Sequence, residues 1–419
     1  MCFPVMLHAQ EVQNIGQLFS ALKTHPQTTG DEIAVQQAVA AQNLASSQLY
    51  PTLDGFGRYE YASNPTAMLP IPPSELFVLA SNPNMGQPFS ENIYRFGAVI
   101  SIPIFIKAIY TTAYMSEILV KSAKEKAFIN LIRNEAILVS LNANLQYIES
   151  LDQALKSKKR SLMKTKEFVV IMVNNGRGSG AALLKINNAV NEVAVLQNDL
   201  AIQQEEVVAM IASYTGITLI QPLAMEQAGT YQSGEMLSLN PQIEKVAAGK
   251  MAIRAEKEKL FPSLVAQGAY SENFANAYNN GAHVNNHYAT VGVSLRIPVF
   301  TMDQYARIKK SRLEMEASCN ELEKTKLELT TQAIGLQNSL LLVENSIQLY
   351  NLSIKDKEEL LAIAKVSYNS EQMSMEDYLK YEDDVVLEQS KLFNSQTRKW
   401  QMIMKLAVIY GNNIEEIVR

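Results

Sequence analysis

Two nine-residue stretches set the terms for this chain, because they are versions of one another. Gly97 to Phe105 reads G-A-V-I-S-I-P-I-F, and Gly292 to Phe300, 195 positions later, reads G-V-S-L-R-I-P-V-F. The same offset relates Gly216 to Gly411, and between these limits Ile102, Pro103, Phe105, Tyr110, Leu141, Leu145, Asn174, Ser179 and Leu184 recur as identical residues at Ile297, Pro298, Phe300, Tyr305, Leu336, Leu340, Asn369, Ser374 and Leu379. A match over this length with no net gap is the mark of a duplicated unit, so the fold is expected to repeat itself once.

Within each copy, side chains alternate between apolar and small or polar up to a proline, which is how a two-faced strand reads, and proline cannot continue the ladder. Four strands are predicted, 53–63, 94–104, 264–274 and 287–299. In the first, Leu53, Gly55, Gly57, Tyr59 and Tyr61 alternate with Asp54, Phe56, Arg58 and Glu60. Strands of about ten residues with one apolar and one hydrophilic side suit a membrane barrel with a wet interior or, equally, a soluble sandwich. The proline-rich Ser63 to Ile93 and the asparagine-rich Asn276 to Asn286 read as exposed loops.

After each second strand comes a long proline-free stretch. Ile308, Met315, Leu322, Leu329, Leu336, Val343 and Tyr350 recur every seventh residue, with a second seam four residues on that becomes apolar towards the middle. Sustained heptads predict coiled-coil helices. A helix over 107–173 would be about 100 Å long at 1.5 Å per residue, and 303–368 matches it. Both end in turns, N-N-G-R-G-S at Asn174 and N-S-E-Q-M-S at Asn369, before returning helices over 181–214 and 376–410. Gly176 suits a helix C-cap, and Ser179 and Ser374 suit N-caps. Short helices are expected over Ile15 to Lys23, closed by His25-Pro26, and from about Asp31 to Leu49. The chain thus divides into a first repeat over 15–216, a linker over 217–234, a second repeat over 235–411 and a tail over 412–419.

Composition excludes several classes. With 419 residues, 47% of them hydrophobic, and a net charge of −5, the chain has neither the polarity of a disordered protein nor the basicity of a nucleic-acid binder. Two cysteines, Cys2 and Cys319, give no disulfide framework. Residues 1–14 read as a signal remnant or a disordered N-terminus, with lipid modification of Cys2 as a third reading. The uncharged run Val207 to Met225 is broken by Gly216 and Pro222, so a helix end and a loop explain it better than a membrane span.

The order helix, strand, strand, long helix, turn, returning helix, twice over, resembles the TolC-type outer-membrane efflux proteins. The resemblance runs from Ile15 to Gly411 and rests on L-Y-P-T-L at Leu49 and L-F-P-S-L at Leu260 before the first strands, I-P-I-F and I-P-V-F after the second, and the N-x-x-x-x-S turns. It implies a mainly α fold with a membrane β-barrel: a homotrimer in which three chains of four strands close one barrel of 12 strands and long antiparallel coiled-coil helices form a tunnel. Trimerisation would also answer a physical problem, since four strands cannot close and an open sheet edge is not tolerated in lipid. The function implied is a passive exit duct of an efflux pump or type I secretion system. It would sit in the outer membrane, extend into the periplasm, and work with a periplasmic adaptor protein and an inner-membrane pump. The resemblance places adaptor-contacting tips at Asn174, Gly176, Ser179, Asn369, Glu371 and Ser374. It places a gate at Asp377, where Lys380 on the next turn departs from the acidic pattern of the family. A soluble coiled-coil scaffold is the alternative.

Other chemistry is thin. Gly176-x-Gly178-x-Gly180 lacks the strand before and the lysine after that a phosphate cradle needs. His283 and His287 have no acid or cysteine partner placed by spacing, and Met373-x-Met375 and Met402-x-Met404 read as helix packing. The acidic run Glu382-Asp383-Asp384 reads as exposed helix surface. No nucleophile and base are brought together by any spacing, so the chain is expected to be no enzyme and to need no cofactor or metal.

Overall fold

The chain is described by a computed structural model covering residues 12–82 and 84–419. The segment read as a signal remnant, including Cys2, lies outside the described residues up to position 11. The first element is α1, Ile15–Thr24, whose Ile15, Leu18, Phe19 and Leu22 fall on one helical face and are all buried. Asn14 caps it by accepting from the Gln17 amide. Helix α2, Pro26–Ser47, starts at the proline and not near Asp31. Proline at the first helical position lacks only an N–H that would be unpaired anyway, and the amides of Thr28 and Thr29 bond back to the His25 carbonyl.

Four strands follow, interleaved with helices. They are β1, Thr52–Ala67, and β2, Phe89–Phe105, then β3, Ser263–Asn276, and β4, His283–Arg296. All four pair antiparallel in sequence order. The first three run past the expected limits. The fourth is shifted from 287–299 to begin at His283 and stop at Arg296, because its partner β3 begins at Ser263, opposite Arg296, directly after Pro262. The proline-rich connection is not all loop: α3, Pro73–Ser81, lies within it, again opened by a proline at the first position.

The two long helices are α4, Lys107–Asn174, and α7, Met302–Asn369, of 68 residues each. The returning helices are α5, Gly180–Thr215, and α8, Met375–Tyr410, of 36 residues each. Both returning helices end on a left-handed glycine, Gly216 at φ 72° and Gly411 at φ 71°, so the internal duplication holds down to the caps. Between the halves, α6, Asn240–Glu258, leads into β3. No helix among the described residues is long and apolar enough to cross a membrane.

The chain forms two compact units. One holds the chain through Val35 with Ala123–Pro241 and Glu321–Arg419; the other holds Gln36–Ser122 and Gln242–Asn320. In the helical unit the core includes Ile186, Val193, Leu200 and Val207 of α5, spaced by seven, against Leu145, Ile148, Leu155 and Leu162 of α4. The segments read as a linker and a C-terminal tail also contribute to this core. The stretch read as a linker buries Leu219 and Leu223, and the Asn142 side chain both donates to the Leu223 carbonyl and accepts from its amide, each at 2.9 Å. The stretch read as a tail carries α9, Ile414–Ile417, and a bridge from Val418 to Gln227. Its Ile414, Ile417 and Val418 are apolar at helical spacing, which is why it packs.

Candidate functional site: two helical turns and a two-faced sheet

In the sheet unit, register decides what each face can meet. Leu53, Ile100, Gly268 and Val291 align across the four strands, as do Tyr59, Tyr94, Phe274 and Asn285 six residues further along β1 on the same face. This face is apolar and uncovered: Leu53 is 72% exposed, Val291 90% and Val293 64%. Tyr59 packs against Tyr94 at 5.0 Å between ring centroids, forming an aromatic patch towards one end. Glu272 and His287, opposite one another in the register, break the pattern, as does His283 at the end of β4, stacked on Phe274.

The opposite face is polar and tied together. Arg95 of β2 donates to Glu60 of β1 at 3.1 Å, to Asn273 of β3 at 2.9 Å, and to the Met68 carbonyl. Arg58 meets the other Glu60 oxygen at 2.8 Å. Three strands are thus cross-linked on their hydrophilic side through one guanidinium, the side chain best suited to such a fork.

In the helical unit, the two turns share one architecture. The first leaves α4 at Asn174; Gly176 takes φ 74°, and the amides of Arg177 and Gly178 return to the Met172 carbonyl. Gly178 is required by space, since a Cβ there would stand 2.9 Å from the Val173 nitrogen. Ser179 caps α5, accepting from the Ala182 amide at 3.2 Å. The second leaves α7 at Asn369, and Glu371 occupies the left-handed position at φ 61°, the one non-glycine residue with positive φ among those described. Ser374 caps α8, accepting from the Asp377 amide at 3.1 Å. All six predicted tip residues are exposed.

Asp377 is also exposed, but its carboxylate is engaged. It accepts from the Ser374 hydroxyl at 2.7 Å and stands 3.5 Å from Lys380, and the serine bond chiefly holds it below the usual carboxylate range. Next to it, Glu376 pairs with Lys185 of α5 at 2.9 Å, which lowers its pKa as well. Pairs this exposed are screened by solvent and contribute little to stability.

Beginning at the next residue of α8 lies what the sequence reading missed. Tyr378 is fully buried and donates to Glu382, which also accepts from Ser161 of α4 at 2.6 Å, while Thr165 stands 3.5 Å from the phenol oxygen. Tyr368 of α7 stacks on the Tyr378 ring at 5.2 Å. Burial, then the carboxylate bond, pushes the Tyr378 phenol up to about 12. Glu382 was expected on an exposed acidic surface; it is 3% exposed, whereas Asp383 and Asp384 are indeed outside. The correction has a periodic cause, because Tyr378 and Glu382 are four apart and share one helix face while Asp383 is rotated off it. Asp383 pairs with Lys158 of α4.

The glycines of the first turn serve the turn itself. No cluster of three or more His, Cys, Asp or Glu side chains that could hold a metal forms among the described residues.

No protein-family model matches the chain, and no relative is found among curated protein sequences. Solved structures do match. The outer membrane protein VceC of Vibrio cholerae superimposes with a TM-score of 0.79 at 11% identity, covering 95% of this chain and 96% of that one. The CmeC outer membrane channel of Campylobacter jejuni gives 0.77 at 16% identity, over 95% and 85% of the two chains. The MtrE outer membrane channel of Neisseria gonorrhoeae gives 0.76 at 13% identity, over 95% and 89%. The chain therefore has the TolC-type fold over nearly its whole length.

Proposed function

We propose that this chain, carrying the fold of the outer-membrane channels, is one subunit of a homotrimeric exit duct. The observation that carries the reading is the sheet: four strands with unpaired edges at β1 and β4, an apolar face left exposed, and a hydrogen-bonded polar face behind it. A soluble scaffold would bury Leu53, Val291 and Val293, whereas lipid would cover them and neighbouring copies would pair the edges. The helical unit supports the same assembly. Leu327, Ile334, Leu341, Leu342, Leu349 and Ile363 of α7 are each more than half exposed, apolar surface at heptad spacing, interrupted by Asp356, that a neighbouring copy would cover.

On this reading the duct sits in the outer membrane and reaches into the periplasm, passing small molecules or polypeptides passively while an inner-membrane pump and a periplasmic adaptor supply the energy and the docking. The turns bearing Asn174, Gly176, Ser179, Asn369, Glu371 and Ser374 meet the adaptor. Asp377 and Lys380 line the gate, where three copies of a paired, exposed carboxylate bias ion passage. The Tyr378 and Glu382 contacts hold α8 against α4 behind the second turn.

The test is assembly and conduction. The purified protein is expected to be a trimer in detergent that forms pores in planar bilayers, and Asp377→Lys is expected to shift their cation selectivity. A monomer soluble without detergent would overturn the duct; unchanged selectivity in a conducting trimer would retire the gate alone.

A further inference from the structure

The helical unit contains a cleft of about 460 Å³ that the duct reading does not use. It lies between α4 and α8, with Gln227 at one side, and its size is that of a small-molecule site. Its floor is fixed: Thr397 is buried and donates to the Ala143 carbonyl at 3.1 Å. Three aromatic side chains line it, Tyr147, Phe393 and Trp400, the last being the sole tryptophan of the chain. All three are half-buried, and Tyr147 and Trp400 also pack on the core, so each leaves part of its ring to the cleft.

Its polar groups are mostly amides. Gln146 spends its N–H on the Leu223 carbonyl at 2.7 Å, which fixes the amide and leaves its oxygen available. Gln396 and the Trp400 indole N–H have no protein partner among the described residues. Glu149 supplies a carboxylate, steadied by Gln153 at 3.3 Å. The one cation of the lining, Lys399, is already paired with Glu344 at 3.0 Å.

This combination narrows the ligand. Phosphate or sulfate esters would find a carboxylate and no unpaired cation. A wholly apolar guest would leave the glutamine amides and the indole N–H unpaired, a cost for each group buried. A pyranose ring satisfies both sets, its C–H face stacking on an aromatic ring while its hydroxyls pair with amides and carboxylate. We propose that the cleft binds a neutral oligosaccharide containing N-acetylated hexosamine, whose acetamide matches the free carboxamide of Gln396. This inference rests on the cleft's own chemistry and stands whether or not the chain forms a duct.

The single tryptophan makes the test direct, because fluorescence of the full-length protein excited at the red edge, where its 18 tyrosines do not absorb, comes from Trp400 in this cleft. Titration with chitotetraose is expected to give a saturable change with a dissociation constant in the millimolar range or tighter, weakened at least about tenfold in Gln396→Ala and in Glu149→Ala. Both side chains are exposed, so these variants are expected to keep the wild-type melting temperature. Trp400→Phe, followed by calorimetry, is expected to weaken binding similarly. The absence of a saturable change up to about 10 mM, or equal affinity in the three variants, would overturn the site. A response confined to a phosphorylated lipopolysaccharide core oligosaccharide, or a stronger one to spermidine, would overturn the ligand class.

Discussion

The two returning helices invite comparison because their backbones are so alike. Helices α5 and α8 are both 36 residues long, both begin at a serine cap and both end on a left-handed glycine. Their buried seams differ. In α5, Ile186, Val193, Leu200 and Val207 make an apolar row, whereas α8 inserts Tyr378, Glu382, Glu388 and Thr397 among Met375, Val385 and Leu392. Duplication kept the length and the caps and let the chemistry of the contact diverge. An apolar seam holds whatever its neighbours do. A buried carboxylate holds only while its donors stay in place, which makes α8 the half whose attachment can be released.

The largest effect expected from this contrast is on the apolar side. Ile186→Ala removes a fully buried side chain from the α5 seam and is expected to cost about 2–5 kcal/mol, read as a lower denaturation midpoint, with single-channel conductance of the surviving protein unchanged. On the polar side the effects should reverse in kind. Tyr378→Phe keeps the ring and deletes the donor, leaving Glu382 with Ser161 alone, so stability falls by about 1–3 kcal/mol while open probability in planar bilayers rises. A Tyr378→Phe protein as quiet as wild type would remove the distinction between the halves. The pH dependence has a definite sign. A phenol held near 12 in the folded chain and at its ordinary 10 when unfolded contributes stability that is intact below about pH 10 and lost as pH rises through 12. The contact should therefore be indifferent to pH across the physiological range.

A second divergence between the halves lies on the long helices. Glu135 of α4 is buried, and desolvation raises its pKa to about 7, with Lys23 opposing and Glu415 adding to the rise; 195 positions later α7 carries Thr330. A carboxylate whose folded pKa is raised favours folding while protonated, so stability is greatest at low pH and falls as pH rises from about 4.5 through 7. Replacing it by glutamine is expected to raise the melting temperature at pH 8 by several degrees and to change it little at pH 5. Equal gains at both pH values would show the carboxylate to be charged throughout.

These contrasts also mark what could be read in advance. The strands, long helices and turns were legible because duplication printed each of them twice, and period-2 and period-7 patterns survive without tertiary help. Element ends were less so: the start of α2 at Pro26 and of α3 at Pro73 depends on proline being welcome at a helix's first position, while the same residue reads as a breaker. The inward-facing Glu382 was hidden because burial of a charge is decided by partners on another helix, Ser161 here, that local sequence does not reveal. The packing of segments 217–234 and 412–419 was not legible for a related reason. Each is short and irregular, and its apolar residues acquire a place only against Asn142 and the surrounding core.

The smallest expected effect separates the two turns themselves. Gly176 and Glu371 hold the same left-handed position 195 residues apart, and only in the second does a Cβ have to be accommodated. The left-handed region costs a side-chain-bearing residue roughly 1–2 kcal/mol, offset in part by the larger entropy that glycine loses on folding. Glu371→Gly is thus expected to stabilise by about 0.5–1 kcal/mol, and Gly176→Glu to destabilise by a similar amount. The exchange of both residues should then come out close to neutral in chemical denaturation. If Glu371→Gly instead destabilised while leaving conduction intact, the glutamate would have to be held by a contact made only in the assembled protein, and adaptor binding by that variant would be the measurement to make next.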